Sequence, residues 1–184
     1  MKPLVFVTEN KHKLEIARVK LSGFEIAHVD FTIPEIQSMD TREIVENKVT
    51  SAYRKVKKPC FVWDTAFSAE CLNGFPGPLI KWFFETVGDK KICQLVDSFE
   101  NRQCGYVTVL GYFDEKNTHF LEASRRGSIP KRPRGVNGFD WDTIFVPEGQ
   151  DKTYAEMSFE EKHEHSVANE LLDKFNTFLG SERV

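Results

Sequence analysis

The sequence lacks the cysteine and histidine spacing that is typical of proteins stabilised by structural zinc sites or by disulfides. It contains four cysteines in 184 residues, with no C-x-x-C spacing and no neighbouring histidine pairs. That spacing argues against a structural zinc site and against a disulfide framework. We therefore expect reduced thiols at Cys60, Cys71, Cys93 and Cys104.

Long apolar runs and an excess of positive charge are missing too. No stretch approaches the roughly 18 apolar residues of a membrane span, and residues 1–7 lack the layout of a signal peptide, so we expect a cytoplasmic protein without a membrane partner. The formal net charge of −3 and the pI near 6.0 give no global attraction to nucleic acid. With no repeat, low-complexity tract or linker, we expect one domain over residues 1–184.

Strand and helix patterns alternate along the first third of the chain. They predict strands at 3–7, 24–31 and 60–63, with helices at 10–21 and from the Asp40-x-x-Glu43 box to about 56 between them. Next come a loop at 72–88 punctuated by glycine and proline, a short helix near 90–98, strands at 105–113 and 119–127, and a helical tail at 158–179. This order predicts an α/β fold with a mixed sheet.

One apolar run ends on a bare carboxylate, Asp64, which needs a partner if it leaves water. Glu35 follows the end of another predicted strand. Ligands of α/β sheets lie outside the carboxyl ends of strands, so the two carboxylates could converge on one Mg²⁺. The alternatives are a solvated Glu35 and an Asp64 that caps a turn with Thr65.

Two lysine-bearing turns are candidate anion sites. Residues 7–13 form a strand-to-helix turn with Thr8, Asn10 and Lys13, where unpaired helix N–H groups could meet a phosphate. The alternative is a plain Asn10 cap with solvated lysines. Lys81 follows a rigid glycine- and proline-rich loop and either extends to solvent or points inward at an anion.

Aromatic residues and another lysine occur near the carboxyl end. Phe139 and Trp141 could stack on a base while Asp140 and Asp142 offer acceptors. An aromatic turn that closes a core is the competing interpretation. Lys162 lies one turn into the predicted final helix.

In this order, the stretches resemble the inosine triphosphate pyrophosphatase family over nearly the whole chain. The matching motifs are Thr8-x-Asn10-x-x-Lys13, Pro34-Glu35, Asp64-Thr65, the loop Phe75 to Phe83 with Lys81, Gly138-Phe139-x-Trp141-Asp142, and Ala155-Glu156-Met157 with Glu161-Lys162. Six ordered matches are far more specific than any single one.

The resemblance implies a long bent mixed sheet flanked by helices, two lobes with a central cleft, and a homodimer. It implies Mg²⁺-dependent attack of water on the α-phosphorus of nucleoside triphosphates such as ITP, XTP and dITP, which yields monophosphate and pyrophosphate. Asp64 and Lys13 would be catalytic, and Glu35 and Asp64 would bind the metal. The implied substrate-binding residues are Thr8, Asn10, Lys13, Lys48, Thr65, Lys81, Phe139, Trp141, Asp142 and Lys162.

Several positions depart from the family pattern. Trp63 replaces an acidic residue, Asp140 a glycine and Thr143 a proline, and Ser166-Val167-Ala168 replaces the Ser-His-Arg that reads the 6-keto purine edge. Losing those donors should relax or alter base choice. The alternative function is a catalytically weak homologue that binds a nucleotide or a partner.

Overall fold

A mixed sheet runs through this computed structural model, which describes residues 3–138 and 140–181. Its strand order is β2-β1-β3-β5-β6-β7, and β4 pairs with β3. The β1 strand is parallel to β2 and β3, whereas the β3–β4 and β6–β7 pairs are antiparallel. The strands are β1 Leu4–Val7, β2 Ile26–Val29, β3 Cys60–Ala69, β4 Pro76–Gly77, β5 Gln103–Phe113, β6 Thr118–Ser128 and β7 Val146–Pro147. The expected mixed α/β architecture is confirmed.

Helices flank the sheet, and side-chain caps define where several of them begin. Asn10 caps the first helix, Asp40 caps the second, and Ser158 with Glu161 forms a capping box at the fifth. The helices are α1 Lys11–Lys20, α2 Thr41–Val56, α3 Ile80–Val87, α4 Asp89–Asp97, α5 Phe159–Glu164 and α6 Val167–Ser181. Within the described ranges, none of them is long and apolar enough to cross a membrane.

Three sequence-based boundaries were wrong. The third strand does not end at 63 but continues to Ala69, where Phe67 and Ser68 pair with Gly77 and Pro76 of β4. The loop expected at 72–88 contains α3, whose apolar residues recur at i, i+3, i+4 and i+7 from Ile80. The single helical tail is two helices, separated at His165 and Ser166.

The described chain divides into two compact units, each with its own core. The first unit comprises Met1–Asp64, Thr108–Ala123 and Val167–Val184, and the second comprises Thr65–Val107 and Ser124–Ser166. In the first, Phe6 stacks on Phe61 at 4.4 Å, and Phe175 of α6 packs on Phe61 at 5.2 Å. In the second, Phe67 and Phe145 contact edge to face at 6.0 Å. Such aromatic contacts favour one defined packing arrangement in each core.

Candidate active site

One ammonium group in the first unit lies between two carboxylates. Lys48 Nζ, on α2, donates to Glu35 Oε1 at 2.6 Å and to Asp64 Oδ2 at 3.0 Å. Glu35 comes from the segment between β2 and α2, and Asp64 from inside β3. The Lys48 and Asp64 side chains are 16% and 24% exposed, whereas Glu35 is 56% exposed. Both sequence-predicted metal ligands therefore converge on one cation.

The start of α1 approaches the same carboxylate. Lys13 Nζ donates to the Trp63 carbonyl at 3.1 Å and lies 4.0 Å from Asp64 Oδ1. Asn10 Oδ1 accepts from the Lys13 N–H at 3.1 Å, and Thr8 Oγ1 accepts from the Asn10 N–H at the same distance. The Asn10 cap is thus present, but Lys13 is not simply solvated, since it faces Asp64.

The surroundings of Lys48 favour its protonated, charged form. Burial by itself lowers the pKa of this ammonium, but attraction and hydrogen bonds from Asp64 and Glu35 outweigh burial, so the net pKa is raised above its ordinary value.

The turn-cap alternative for Asp64 is wrong, because Asp64 lies inside a strand and its Oδ2 binds Lys48.

These carboxylates fit a hard divalent cation. Mg²⁺ is usually held by one or two carboxylates together with waters and substrate phosphates. Glu35 and Asp64 supply two such oxygens, and both already contact one positive charge. Among residues 3–138 and 140–181, no group of three or more His, Cys, Asp or Glu side chains is arranged to hold a metal. A metal here would therefore depend on substrate or water for its remaining ligands.

A second pair of predicted residues meets within the second unit. Lys162 Nζ of α5 forms an ion pair with Asp142 Oδ2, and Asp142 is 6% exposed. Trp141, beside it in a 3₁₀ turn, is half-buried and contacts Phe67 at 5.8 Å and Tyr106 at 6.2 Å between ring centroids. Trp141 therefore belongs partly to the core, as the competing interpretation of this motif predicted.

The other predicted substrate-binding residues are Thr65, Lys81 and Phe139. Thr65 continues β3 directly after Asp64 and is partly buried. Lys81 is exposed in the first turn of α3, with Nζ 5.8 Å from the Trp82 ring centroid. Phe139 lies outside the described residues.

The departures from the family pattern have local explanations. Trp63 is buried and stacks on Phe6 at 4.6 Å, so it serves the core. Asp140 has φ of 50°, a left-handed conformation that suits glycine and that aspartate tolerates. The Thr143 hydroxyl donates to Asp89 Oδ2 at 3.1 Å. Val167 is 1% exposed at the start of α6, so this side chain is packed in a core.

Comparison with known proteins identifies the family. The model of the Ham1 family matches residues 4–178. The chain belongs to the Ham1 family. It is 37% identical over 186 residues to the inosine triphosphate pyrophosphatase of Schizosaccharomyces pombe, covering 100% of this chain and 98% of that protein. It is 35% identical over 175 residues to the dITP/XTP pyrophosphatase of Methanopyrus kandleri, covering 94% and 93% of the two chains.

Solved Ham1 structures share the fold. A HAM1 protein from Coxiella burnetii superposes with a TM-score of 0.87 at 22% identity, covering 98% of this chain and 100% of that chain. The Staphylococcus aureus Ham1 protein gives a TM-score of 0.83, also at 22% identity, covering 97% and 99%. The family model and the two curated relatives confirm the family resemblance inferred from motifs.

Sequence reasoning overlooked one buried residue of this Ham1 chain. Tyr154 is 3% exposed, and its hydroxyl contacts the carbonyl of His165, close to Lys162. The available signal was its position directly before the Ala155-Glu156-Met157 motif, together with the rule that a buried tyrosine hydroxyl needs a partner.

Proposed function

We propose that this Ham1 chain hydrolyses non-canonical purine nucleoside triphosphates, such as ITP, XTP and dITP, to nucleoside monophosphate and pyrophosphate. The carrying observation is the cluster in the first unit, where Lys13 and Lys48 approach Asp64 and Lys48 also binds Glu35. The names of the S. pombe and M. kandleri relatives support the same substrate class.

The charges of this cluster suit a polyanionic substrate. Lys13 and Lys48 would bind the phosphate chain and stabilise charge on the leaving pyrophosphate. A divalent metal, for which we propose Mg²⁺, would be held by Glu35 and Asp64 and would neutralise phosphate charge when bound. Asp64 would also orient the attacking water.

Other predicted residues complete the proposed substrate site. Thr8 and Asn10 would shape the turn beside the phosphates, and Thr65 and Lys81 would add polar contacts. Phe139 and Trp141 would stack on the base. Asp142 directly follows Trp141 and pairs with Lys162, and these two residues would bind the substrate beside the base. We further propose a single catalytic domain over 1–184, a homodimer, and action in the cytoplasm.

Base choice should be weaker than in relatives that retain Ser-His-Arg. Val167 and Ala168 carry no donor for O6 of hypoxanthine or xanthine, while stacking does not discriminate among bases. We expect a preference for ITP over ATP below about tenfold, since each missing base contact is worth about 1–3 kcal/mol.

The test is turnover of ITP, XTP, dITP, ATP and GTP with Mg²⁺ in ¹⁸O-water, with products resolved by mass. We expect the label in the monophosphate and unlabelled pyrophosphate. Asp64→Asn should abolish turnover, whereas Asp173→Asn, which alters an exposed partner of Lys20, should not. Release of orthophosphate and nucleoside diphosphate would contradict the proposal. Nucleotide binding without turnover would favour the non-catalytic alternative.

A further inference from the structure

Tyr154 is anchored firmly at its backbone. It begins a 3₁₀ turn, Tyr154–Glu156, and its N–H donates to the Phe145 carbonyl at 3.1 Å. Thr153, just before this turn, forms a capping box with Glu156 at its end. The Thr153 hydroxyl donates to the Arg134 carbonyl at 3.0 Å. This turn is therefore a fixed platform within the second unit.

The hydroxyl of Tyr154 extends from that turn into a partly buried hydrogen-bond network. It donates to the His165 carbonyl at 2.8 Å and lies 3.0 Å from the Tyr106 hydroxyl. A phenol has a single proton, so Tyr106 acts as the donor in the second contact. The Arg125 side chain also hydrogen-bonds this hydroxyl.

The carbonyl that accepts this bond lies where α5 ends. Carbonyls in the last turn of a helix lack partners inside the helix and must find them elsewhere. The α5 helix has six residues, too few for stability by itself. Its first end is held by the Ser158 capping box, and its last end by the Tyr154 hydroxyl.

Tyr154 also contacts the lysine that α5 carries. Lys162 Nζ lies 5.7 Å from the centroid of the Tyr154 ring while it pairs with Asp142. The tyrosine thus touches both the end of the helix and its charged side chain. Ser166, the remaining residue of the altered base-reading motif, directly follows the bonded carbonyl of His165.

We propose that Tyr154 is a positioning residue, whose hydroxyl fixes the turn between α5 and α6 and so sets Lys162 for substrate. This rests on the proposed function in assigning Lys162 to the nucleotide. It is separate from the metal cluster, since it acts through a backbone carbonyl and touches no reacting atom.

The experiment compares Tyr154→Phe with Tyr106→Phe. Each variant removes one hydroxyl of the same pair, but only Tyr154→Phe also removes the bonds to His165 and Arg125. Amide hydrogen exchange is measured across residues 159–166, where His165 and Ser166 donate to Lys162 and His163. ITP kinetics are measured on both variants and the wild type.

We expect Tyr154→Phe to speed exchange in this segment and to raise KM for ITP, each by about 3- to 10-fold, as loss of one net hydrogen bond implies. The kcat should stay within about twofold, because ground-state and transition-state binding are lost together. Tyr106→Phe should change neither exchange here nor KM.

Equal effects of both variants, or no effect of Tyr154→Phe on exchange, would overturn the proposal that the Tyr154 hydroxyl fixes this turn. Faster exchange with an unchanged KM would show a structural role alone and would overturn the positioning role. Failure of the proposed function would appear differently, as wild-type protein that releases no pyrophosphate from ITP, and the exchange measurement does not depend on that activity.

Discussion

Lys48→Met should destabilise the metal-free protein and make it more responsive to Mg²⁺. Methionine keeps most of the aliphatic bulk of lysine but removes the charge between Glu35 and Asp64. In the wild type, Lys48 Nζ lies 2.6 Å from Glu35 Oε1 and 3.0 Å from Asp64 Oδ2. The variant would leave both carboxylates without this counter-ion.

The expected loss comes mainly from Asp64. A hydrogen bond to a charged group contributes about 1.5–3 kcal/mol, and both partners of this contact are mostly buried. The Glu35 contact contributes less than about 1 kcal/mol because that side chain is largely in water. Lys13 remains 4.0 Å from Asp64 and compensates in part. The net loss is therefore about 2 kcal/mol, which lowers Tm by about 4–8 °C for a chain of this size.

The pH dependence of this contribution has a definite sign. The pKa of Lys48 is raised in the folded state, so its stabilisation is fully present below the unfolded pKa of about 10.4 and is lost as pH rises through the higher folded pKa. The Tm difference between wild type and Lys48→Met should thus stay constant near neutral pH and shrink in strong alkali.

The assay is thermal unfolding in chelator and in millimolar MgCl₂, with Lys20→Met as the matched control. Lys20 forms an ion pair with Asp173, which is 62% exposed, so its loss should cost under about 1 kcal/mol. Mg²⁺ should raise the Tm of Lys48→Met more than that of the wild type or the control. An unchanged Tm in chelator, or an equal Mg²⁺ shift in all three proteins, would refute the reasoning.

Three further predictions concern other parts of the molecule. Gly138→Ala should lower both Tm and affinity for ITP in thermal and kinetic assays, because Gly138 has φ of 90° and a Cβ there would collide with Asp142; unchanged values would contradict this. Burial raises the pKa of Cys60 to about 12, so the contribution of this thiol to the free energy of unfolding should fall by about 1.4 kcal/mol per pH unit above about pH 9, where the unfolded thiol ionises and the folded one does not. Urea unfolding at stepped pH should show a shallower fall for Cys60→Ala, and parallel slopes would contradict it. Ala168→Arg, at a half-buried position, should raise the kcat/KM ratio of ITP over ATP by about fivefold or more, as one regained base contact implies; Val167→His should instead cost stability, since Val167 is packed in a core.

Local sequence determined the helix starts and most of the strands. Asn10, Asp40 and Ser158 cap helices where their neighbours predicted, because a cap requires only a side chain and the N–H groups two or three residues ahead. Strand positions followed from apolar runs and alternation, because these patterns indicate directly which side chains are buried. The ordered motifs also predicted the family, since their spacing depends on the chain alone.

Contacts between distant segments were decided only by the tertiary structure. Lys48 meets Glu35 and Asp64 across 13 and 16 residues, and local patterns carry no information about such distances. The extension of β3 past Asp64 depends on the pairing of Phe67 with Gly77 in β4. The break between α5 and α6 carries a hydrogen bond from Tyr154, eleven residues before the carbonyl it meets. A helical pattern reports which face is apolar, but a buried hydroxyl elsewhere in the fold can fix where the helix ends.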